Sequence, residues 1–230
     1  MRRLDRLLGR LSARLPDRFR VFAARYTGAH RKFVARSDNW DLSAASQFGL
    51  LALLGLRAEH SLLEVGCGSL RVGRLLIVYL EPGCYFAIEP ERWLVEAAIE
   101  HELGRDLVRL KRPTFDAGRD FRLTVFGRRF DFVLAGSVLA HAAPSQIRAC
   151  LAEARGALAA EGLFVASFLE AETDHAGESW VYPGRVGYRF ETLRAMAAEA
   201  GLDCERLGWL HDFGAGNQTW VAFAAAERDG

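Results

Sequence analysis

The sequence predicts an α/β fold, with a mostly parallel sheet, helices on both faces and an antiparallel strand at the C-terminal end. Short apolar strands alternate with helices between residues 61 and 169, which is typical of a parallel sheet covered on both sides. Two strands then follow each other, at residues 205–210 and 219–225, and such neighbours pair antiparallel. A Gly-x-Gly turn also joins the first strand to its helix.

The predicted elements follow in a regular order. A mostly buried helix over residues 42–56 precedes the sheet. Strands are predicted at residues 61–66, 85–88, 107–110, 130–135 and 163–169, and helices at 70–80, 91–103, 145–159 and 190–200. Pro82 and Gly201 mark helix ends, because Pro cannot continue a helix and Gly adopts the left-handed conformation that ends one.

Length, charge and cysteine content narrow the class of protein. The chain has 230 residues, half of them hydrophobic, and a net charge of +1, which suits one core and gives no reason to expect nucleic acid as a partner. Its four cysteines are not spaced as metal ligands or a disulfide framework. We therefore expect no metal and a reducing cytoplasm. No apolar run reaches the ~20 residues that cross a bilayer, and the N-terminus lacks the apolar stretch of a secretory signal.

Residues 1–36 are predicted to be a basic helical extension of the domain at residues 37–230. They hold eleven Lys or Arg and two Asp, whereas the rest holds nineteen basic and twenty-seven acidic residues. Leucines recur there at helical spacing with arginines between them, namely Leu4, Leu7, Leu8, Leu11 and Leu15 with Arg2, Arg3, Arg6, Arg10 and Arg14. Such a helix either packs on its own domain with a solvated arginine face, or contacts an anionic membrane or a protein partner.

The Gly-x-Gly turn at residues 66–68 points to a bound nucleoside. Without Cβ atoms the chain can turn sharply, and a ligand can touch the backbone at the carboxyl edge of the strand, facing a helix N-terminus. Glu89 closes the second strand twenty-one residues after Gly68. A carboxylate at that place and distance suits the two hydroxyls of a ribose.

The charges at this turn distinguish between cofactors. A nicotinamide or flavin nucleotide predicts a third Gly at the position of Arg71. Glu64, two residues before the turn, would repel a pyrophosphate and favour an ammonium or sulfonium group. S-adenosylmethionine carries both positive groups and no phosphate, and its carboxylate could meet Arg71 or the helix N-terminus. The residues predicted to bind this cofactor are Glu64, Gly66, Cys67, Gly68, Ser69, Arg71, Glu89, Pro90 and Ser137.

In these motifs the chain resembles the class I S-adenosylmethionine-dependent methyltransferases over residues 38–225. The strings similar to that family's motifs are EVGCG at 64–68, IEP at 88–90, FDFVLA at 130–135 and GLF at 162–164. The resemblance implies a Rossmann-like, seven-stranded sheet whose last strand is antiparallel. It also implies that Gly66 and Gly68 contact the methionine end of the cofactor, and that Glu89 contacts the ribose.

Other strings are similar to a narrower bacterial branch of that family. They are DNWD at 38–41, GCGSLR at 66–71, YPG at 182–184 and QTW at 218–220. The family often has an acid after the third strand that contacts adenine. Here the third strand is poorly marked, and Asp116 is the candidate.

The loop after the fourth strand is where acceptor and cofactor are expected to meet, because ligands gather at the carboxyl ends of parallel strands. Methyl transfer from a sulfonium is a direct displacement, for which the protein mainly aligns the reacting atoms. His141 in this loop is the candidate general base, since its pKa lies near neutrality. Alternatively, His141 lines the cofactor or helps to begin the next helix. Ser137 either touches the cofactor or is simply small.

Several other polar residues have two interpretations each. The segment that holds His175, Glu178, Trp180 and Tyr182 either closes over a substrate or is a surface excursion whose aromatic residues cover the sheet edge. His211 and Asp212 either border the cleft or are solvated turn residues. Asp38, Asn39 and Trp40 either cap the next helix or form a lid. Asp131 opens a strand, away from the carboxyl edge, and is predicted to be structural.

Three functions are compatible with these patterns. The first is a methyltransferase that acts on a small-molecule acceptor, and the second is a non-catalytic module that binds S-adenosylmethionine. The third is an NAD-type oxidoreductase, against which Arg71 argues. No Cys nucleophile motif or metal-ligand cluster points to methylation of DNA cytosine or of catechols.

Overall fold

The computed structural model describes residues 16, 19, 21, 28–34, 39–209 and 218–226. The strands are β1 (Leu62–Val65), β2 (Tyr85–Ile88), β3 (Thr114–Asp116), β4 (Phe130–Ala135), β5 (Leu158–Glu170), β6 (Gly187–Tyr188), β7 (Leu202–Leu207) and β8 (Gln218–Ala225). The α-helices are α1 (Ala29–Val34), α2 (Trp40–Leu53), α3 (Gly73–Tyr79), α4 (Arg92–Ala98), α5 (Arg105–Lys111), α6 (Pro144–Ala157) and α7 (Phe190–Glu199). A π-helical segment at Ile99–Leu103 continues α4, and 3-10 turns lie at Leu123–Phe126 and Leu139–His141.

These strands form one mixed sheet in the order β3-β2-β1-β4-β5-β8-β7, and the two-residue strand β6 pairs with the end of β5. Strands β1 to β5 pair parallel to their neighbours. Strand β8 is antiparallel to both β5 and β7. The fold class predicted from the sequence is therefore confirmed, with β6 as an added short strand.

Two apolar layers cover the sheet, one on each face. Along β4, Val133 and Ala135 join the first layer, while Phe132 and Leu134 join the second. This alternation follows from the strand, in which successive side chains point to opposite faces. The first layer includes apolar residues of α6 and α7, and the second includes those of α2, α3 and α4. The sheet consequently has helices on both sides.

The prediction of a third strand at residues 107–110 is wrong. These residues belong to α5, and the third strand is the edge strand Thr114–Asp116. Gly104 and Arg112, both with positive φ, bound the helix, and Leu110 is 66% exposed. A run of four residues with three apolar side chains fits either structure, so its pattern could not separate them.

Strand β7 begins directly after Gly201, three residues before the predicted start at residue 205. Its buried Leu202 and Cys204 alternate with the exposed Asp203 and Glu205, as expected for a strand with one covered face.

Several predictions lie outside the described residues. They concern Asp38, His211, Asp212, and the leucines and arginines of the predicted basic helix. In the described part of the chain, no helix is both long enough and apolar enough to cross a membrane.

Candidate active site

The carboxyl ends of β1, β2 and β4 meet at one edge of the sheet, and the glycine turn (residues 66–68) lies there. Gly66 donates its N–H to the carbonyl of Ile88 at 2.8 Å, and both glycines of the turn have positive φ. A Cβ at Gly66 would lie 2.8 Å from Val138, and one at Gly68 would lie 2.8 Å from Val34. Both backbone conformation and space therefore require glycine at these two positions.

Glu89 directly follows β2, and its side chain holds the glycine turn through a hydrogen bond. Its carboxylate accepts the N–H of Gly68 at 2.7 Å and that of Glu91 at 2.9 Å. Burial raises the pKa of Glu89, and these two hydrogen bonds oppose the shift. A carboxylate offers about four acceptor positions, so two remain for ribose hydroxyls. The structure thus brings Glu89 and Gly68 together, as the spacing indicates.

Glu64 lies beneath the turn. Its carboxylate accepts the hydroxyl of Tyr85 at 2.6 Å, and a Cβ at Gly73 would come within 2.9 Å of it. Burial raises the pKa of Glu64 to about 7, against the lowering effects of Tyr85 and Arg71. Glu64 can therefore act on a ligand through its charge, while its contacts are to the protein.

Arg71 is also buried, close enough to Glu64 to feel its charge. Desolvation lowers the pKa of its guanidinium, and the charge of Glu64 opposes that shift. Its Nε is buried and has no hydrogen-bond partner among the described residues. The guanidinium thus has unused capacity to bind an anion.

Cys67, Ser69 and Pro90 are the other residues near the glycine turn that were predicted to bind the cofactor. Burial raises the pKa of the Cys67 thiol well above its ordinary value, so it stays protonated and is a poor nucleophile. Ser69 donates its hydroxyl to the carbonyl of His30 at 3.1 Å. Pro90 is half-buried between Glu89 and Glu91. Ser69 therefore anchors α1 in this structure.

Helix α1 lies over the glycine turn, a contact that sequence patterns did not indicate. Arg31 donates two hydrogen bonds of 2.5 Å each to Glu102 in the π-helical segment, and His30 Nε2 lies 2.9 Å from the same carboxylate. The ring of Phe33 packs edge-on against Trp93 at 5.5 Å. Because these partners lie far apart along the chain, only the folded structure reveals the contact.

The turn after β4 is strained and polar. Ser137 has a φ of 65°, which is uncommon for a residue other than glycine and recurs at functional sites. Its N–H donates to Ser167 Oγ at 2.8 Å, and Ser167 donates to Gln218 at 2.8 Å. On the other side, the amide of Gln47 packs against Gly136. Ser137 is thus held at the sheet edge beside the glycine turn.

His141 follows in the same turn, with a defined tautomer. Its Nδ1 lies 2.6 Å from the carbonyl oxygen of Gly184. Because a carbonyl only accepts, Nδ1 carries the hydrogen and Nε2 carries the lone pair. Burial lowers the pKa of His141 below its ordinary value. A neutral imidazole with a free Nε2 lone pair has the form that a general base requires.

The segment at residues 171–186 covers this turn. Tyr182 donates its hydroxyl to the carbonyl of Phe33, and the rings of Tyr182 and Trp180 lie 5.0 and 5.6 Å from that of His141. Trp180 remains 43% exposed. By contrast, His175 packs beside Tyr188 of β6, and Glu178 is exposed. Of the four predicted residues, only the two aromatic ones border His141.

The remaining candidates lie at different places in the fold, and Asp116 lies at the same sheet edge as Glu89, whose N–H donates to the Asp116 carbonyl at 2.9 Å. Asp131 accepts the N–H and hydroxyl of Ser61, both at 2.8 Å, at the opposite end of the sheet. Asp116 ends β3 and accepts the N–H of Gly118 at 2.7 Å. Asn39 occupies the N-cap of α2 without a side-chain capping hydrogen bond. Within the ranges described, no cluster of three or more His, Cys, Asp or Glu could hold a metal ion.

Comparison with known proteins agrees with this architecture. Residues 63–164 match the family model described as a methyltransferase domain. A search of curated proteins found no match to the sequence. The glycopeptide N-methyltransferase MtfA, complexed with S-adenosyl-L-methionine, is 16% identical with a TM-score of 0.62, over 79% of this chain and 94% of that one.

Two further solved structures share the fold. Magnesium protoporphyrin IX methyltransferase (ChlM) from Synechocystis PCC 6803, with bound SAH, is 13% identical with a TM-score of 0.61, over 91% of this chain and 99% of that one. The CcbJ methyltransferase from Streptomyces caelestis is 17% identical with a TM-score of 0.60, over 84% of this chain and 92% of that one. At these identities the similarity shows a common fold, which is the Rossmann-like mixed sheet.

Proposed function

We propose that this chain is an S-adenosylmethionine-dependent methyltransferase of class I, in the bacterial branch with the GCGSLR motif, and that its acceptor is a small molecule. One observation carries the proposal. In a domain that matches a methyltransferase family, the Glu89 carboxylate at the end of β2 holds the glycine turn at the end of β1. Solved structures with the same fold contain this cofactor or its product. Two of these proteins are a glycopeptide N-methyltransferase and a magnesium protoporphyrin IX methyltransferase.

The residues at the sheet edge fit this cofactor. Gly66 and Gly68 allow the positive-φ turn against which Val138 and Val34 pack, and this turn lies at the carboxyl edge of the sheet, where such nucleosides bind. Glu89 would hold the ribose, and Arg71 would meet the carboxylate. Cys67, Ser69, Pro90 and Ser137 would line the site, and Glu64 would favour its positive charges from below. When bound, S-adenosylmethionine supplies a methyl group on a positively charged sulfur.

The chain's own residues would orient the acceptor and remove its proton. His141 Nε2 would accept that proton, since Nδ1 is committed to Gly184 and burial keeps the ring neutral. Trp180 and Tyr182 beside this ring would hold the acceptor and exclude water. Methyl transfer then depends mainly on alignment.

Calorimetry and a product assay test this function together. We expect S-adenosylhomocysteine to bind the purified chain and NADH not to bind. Incubation with S-adenosylmethionine and a panel of small hydroxyl and amine acceptors should release S-adenosylhomocysteine. Binding without release from any acceptor would favour the non-catalytic module, and binding of NADH would favour the oxidoreductase.

We further propose that the protein is cytoplasmic and that its basic N-terminal extension contacts an anionic membrane or a protein partner. The excess of arginine in residues 1–36 supports this proposal. Deleting residues 1–16 should abolish sedimentation with phosphatidylserine vesicles and leave affinity for S-adenosylhomocysteine unchanged. Equal sedimentation of the full and shortened chains would contradict the membrane contact.

A further inference from the structure

The turn after β4 begins with a residue whose backbone conformation needs support from its surroundings. Ser137 has a φ of 65°, in the left-handed region that residues other than glycine keep only when the surrounding structure holds them there. The parallel pairing of β4 with β5 ends at Ala135 and Ala166, so Ser137 lies beyond the last register pair. Its N–H takes its acceptor from a side chain instead.

Two side chains in sequence supply that acceptor. Ser137 donates its N–H to Ser167 Oγ at 2.8 Å, and the Ser167 hydroxyl donates to Gln218 Oε1 at 2.8 Å. Since Gln218 takes the hydroxyl hydrogen, it orients the lone pairs of Ser167 toward the Ser137 N–H. Strand β8 runs antiparallel to β5 and pairs Gln218 with Leu169, which places Gln218 at the carboxyl edge of the sheet. We call Ser137, Ser167 and Gln218 the serine relay.

Ser167 and Gln218 are a polar pair in apolar surroundings. Ser167 is 0% exposed and Gln218 is 6% exposed. The neighbours of Ser167 on its face of the sheet, Val165 and Trp220, belong to the second apolar layer. Apolar side chains at the two positions would fill the core but leave the Ser137 N–H without its acceptor, and buried polar groups of this kind are nearly always paired. The pair therefore serves the turn.

The turn carries side chains that border both parts of the candidate site. Val138, next to Ser137, packs against the glycine turn, since a Cβ on Gly66 would lie 2.8 Å from it. His141 donates its N–H to the Val138 carbonyl at 3.1 Å, and its Nδ1 lies 2.6 Å from the Gly184 carbonyl oxygen. A change in the Ser137 backbone would therefore shift both Val138 and His141.

We propose that Ser167 and Gln218 are positioning residues for methyl transfer, which act on His141 by holding the Ser137 N–H. Gln218 opens the string QTW at 218–220, and Gly184 ends the string YPG at 182–184. These two strings hold the same turn from opposite sides. The inference rests on the proposed function, but its main test reads the state of His141 without cofactor or acceptor.

Titration of His141 by nuclear magnetic resonance tests this role. The ring Cε1–H signal, assigned by its absence in His141→Gln, reports the pKa of the imidazole, which burial lowers. Ser167→Ala and Gln218→Met each break the serine relay and keep most of the packing. The turn should then relax and admit water to the ring, so that the pKa of His141 rises toward about 6.5. Methyl transfer should slow about tenfold to hundredfold, because the base is misplaced.

Two matched variants complete the experiment. Ser167→Thr keeps the hydroxyl and should leave the pKa of His141 at its wild-type value. Ser61→Ala removes a buried hydroxyl that donates to Asp131 at 2.8 Å, at the opposite end of the sheet, and should lower stability without moving this pKa.

The outcomes separate this inference from the proposed function. An unchanged His141 pKa in Ser167→Ala and Gln218→Met, or an equal rise in Ser61→Ala, would overturn the inference. If the wild-type chain does not bind S-adenosylhomocysteine, the proposed function fails, whereas the titration still decides whether the serine relay positions His141.

Discussion

Glu89 and Gly68, twenty-one residues apart in the chain, are joined by a hydrogen bond of 2.7 Å from the Gly68 N–H to the Glu89 carboxylate. The bond connects the carboxyl ends of the adjacent parallel strands β1 and β2. The same carboxylate that would hold a ribose therefore also fixes the glycine turn. Cofactor binding and the shape of the turn are coupled through one side chain.

The first prediction follows from this coupling. Glu89→Gln replaces one acceptor oxygen by an NH₂ group that must face a backbone N–H or the ribose. We expect affinity for S-adenosylhomocysteine to fall by about 1–3 kcal/mol, measured by calorimetry. Glu91→Gln is the control, because Glu91 pairs on the surface with Arg119 and its N–H contact to Glu89 comes from the backbone. Equal affinities of wild type and Glu89→Gln would place the ribose elsewhere.

The sequence predicts the buried central strands of the sheet better than its short edge strands. The strands β1, β2 and β4 are buried and apolar, so local patterns locate them within a residue or two. Strand β3 has three residues, none of them buried, and no alternation marks it. Strand β6 exists only because it pairs with the end of β5, a contact that no local pattern records.

Some residues of the candidate site could be predicted from the sequence, and others could not. Gly66, Gly68 and Glu89 directly follow strands, so topology alone brings them together. Val34 and Gln47 reach the site through the packing of α1 and α2, which sequence spacing does not specify. Gln47 did leave one signal, since it is the only large polar residue of α2 after Asp41 in the first turn. Such a residue on a buried face calls for a partner.

The second prediction concerns stability and pH. Burial raises the pKa of Glu64 to about 7, above its value of about 4.3 in an unfolded chain. The folded state therefore binds this proton more tightly, and stability falls as pH rises between these two values. The loss is on the order of 3 kcal/mol. Urea unfolding at pH 5 and pH 8 measures this loss of stability. The loss should be smaller in Glu64→Gln than in the wild type, and equal losses in the two proteins would contradict the prediction.

The third prediction concerns the charge of the ligand. Ionised Glu64 should favour the sulfonium of S-adenosylmethionine over the neutral thioether of S-adenosylhomocysteine. As pH rises through about 7, where Glu64 ionises, the affinity ratio of the two ligands should increase in the wild type. In Glu64→Gln the ratio should stay flat. Calorimetry at pH 6 and pH 8 measures the two affinities in each protein. If the affinity ratio changes with pH equally in the wild type and in Glu64→Gln, the charge of Glu64 does not cause the change.

The fourth prediction concerns α1. The Glu102 side chain is 6% exposed. Burial acts to raise its pKa, but the hydrogen bonds to His30 and Arg31 outweigh this effect and lower the pKa to about 2. The stability from this contact is present above the unfolded pKa and is lost as pH falls toward about 2. Glu102→Gln should lower the free energy of unfolding by about 2 kcal/mol. This figure is smaller than for a fully buried ion pair, because Arg31 is partly exposed and solvent screens its charge.

Loss of that contact should also loosen α1 above the glycine turn and speed the release of S-adenosylhomocysteine. Stopped-flow displacement, followed by tryptophan fluorescence, measures the dissociation rate. Glu100→Gln is the control, because Glu100 pairs with the exposed Arg105 and not with α1. If both variants release the product at the wild-type rate, α1 does not limit its exit.

The last prediction concerns His141. Since Nδ1 is bound to Gly184, the Nε2 lone pair is free to take a proton, and His141→Gln should lower the methyl-transfer rate about 10²- to 10⁴-fold. Affinity for S-adenosylhomocysteine should not change. Because burial lowers the pKa of His141, wild-type kcat should rise with pH through a value below about 6.5 and then level off. His60→Gln is the control, since His60 stacks on Phe132 before β1, at the far end of the sheet. A variant at position 141 that keeps both the rate and this pH profile would show that another group removes the proton.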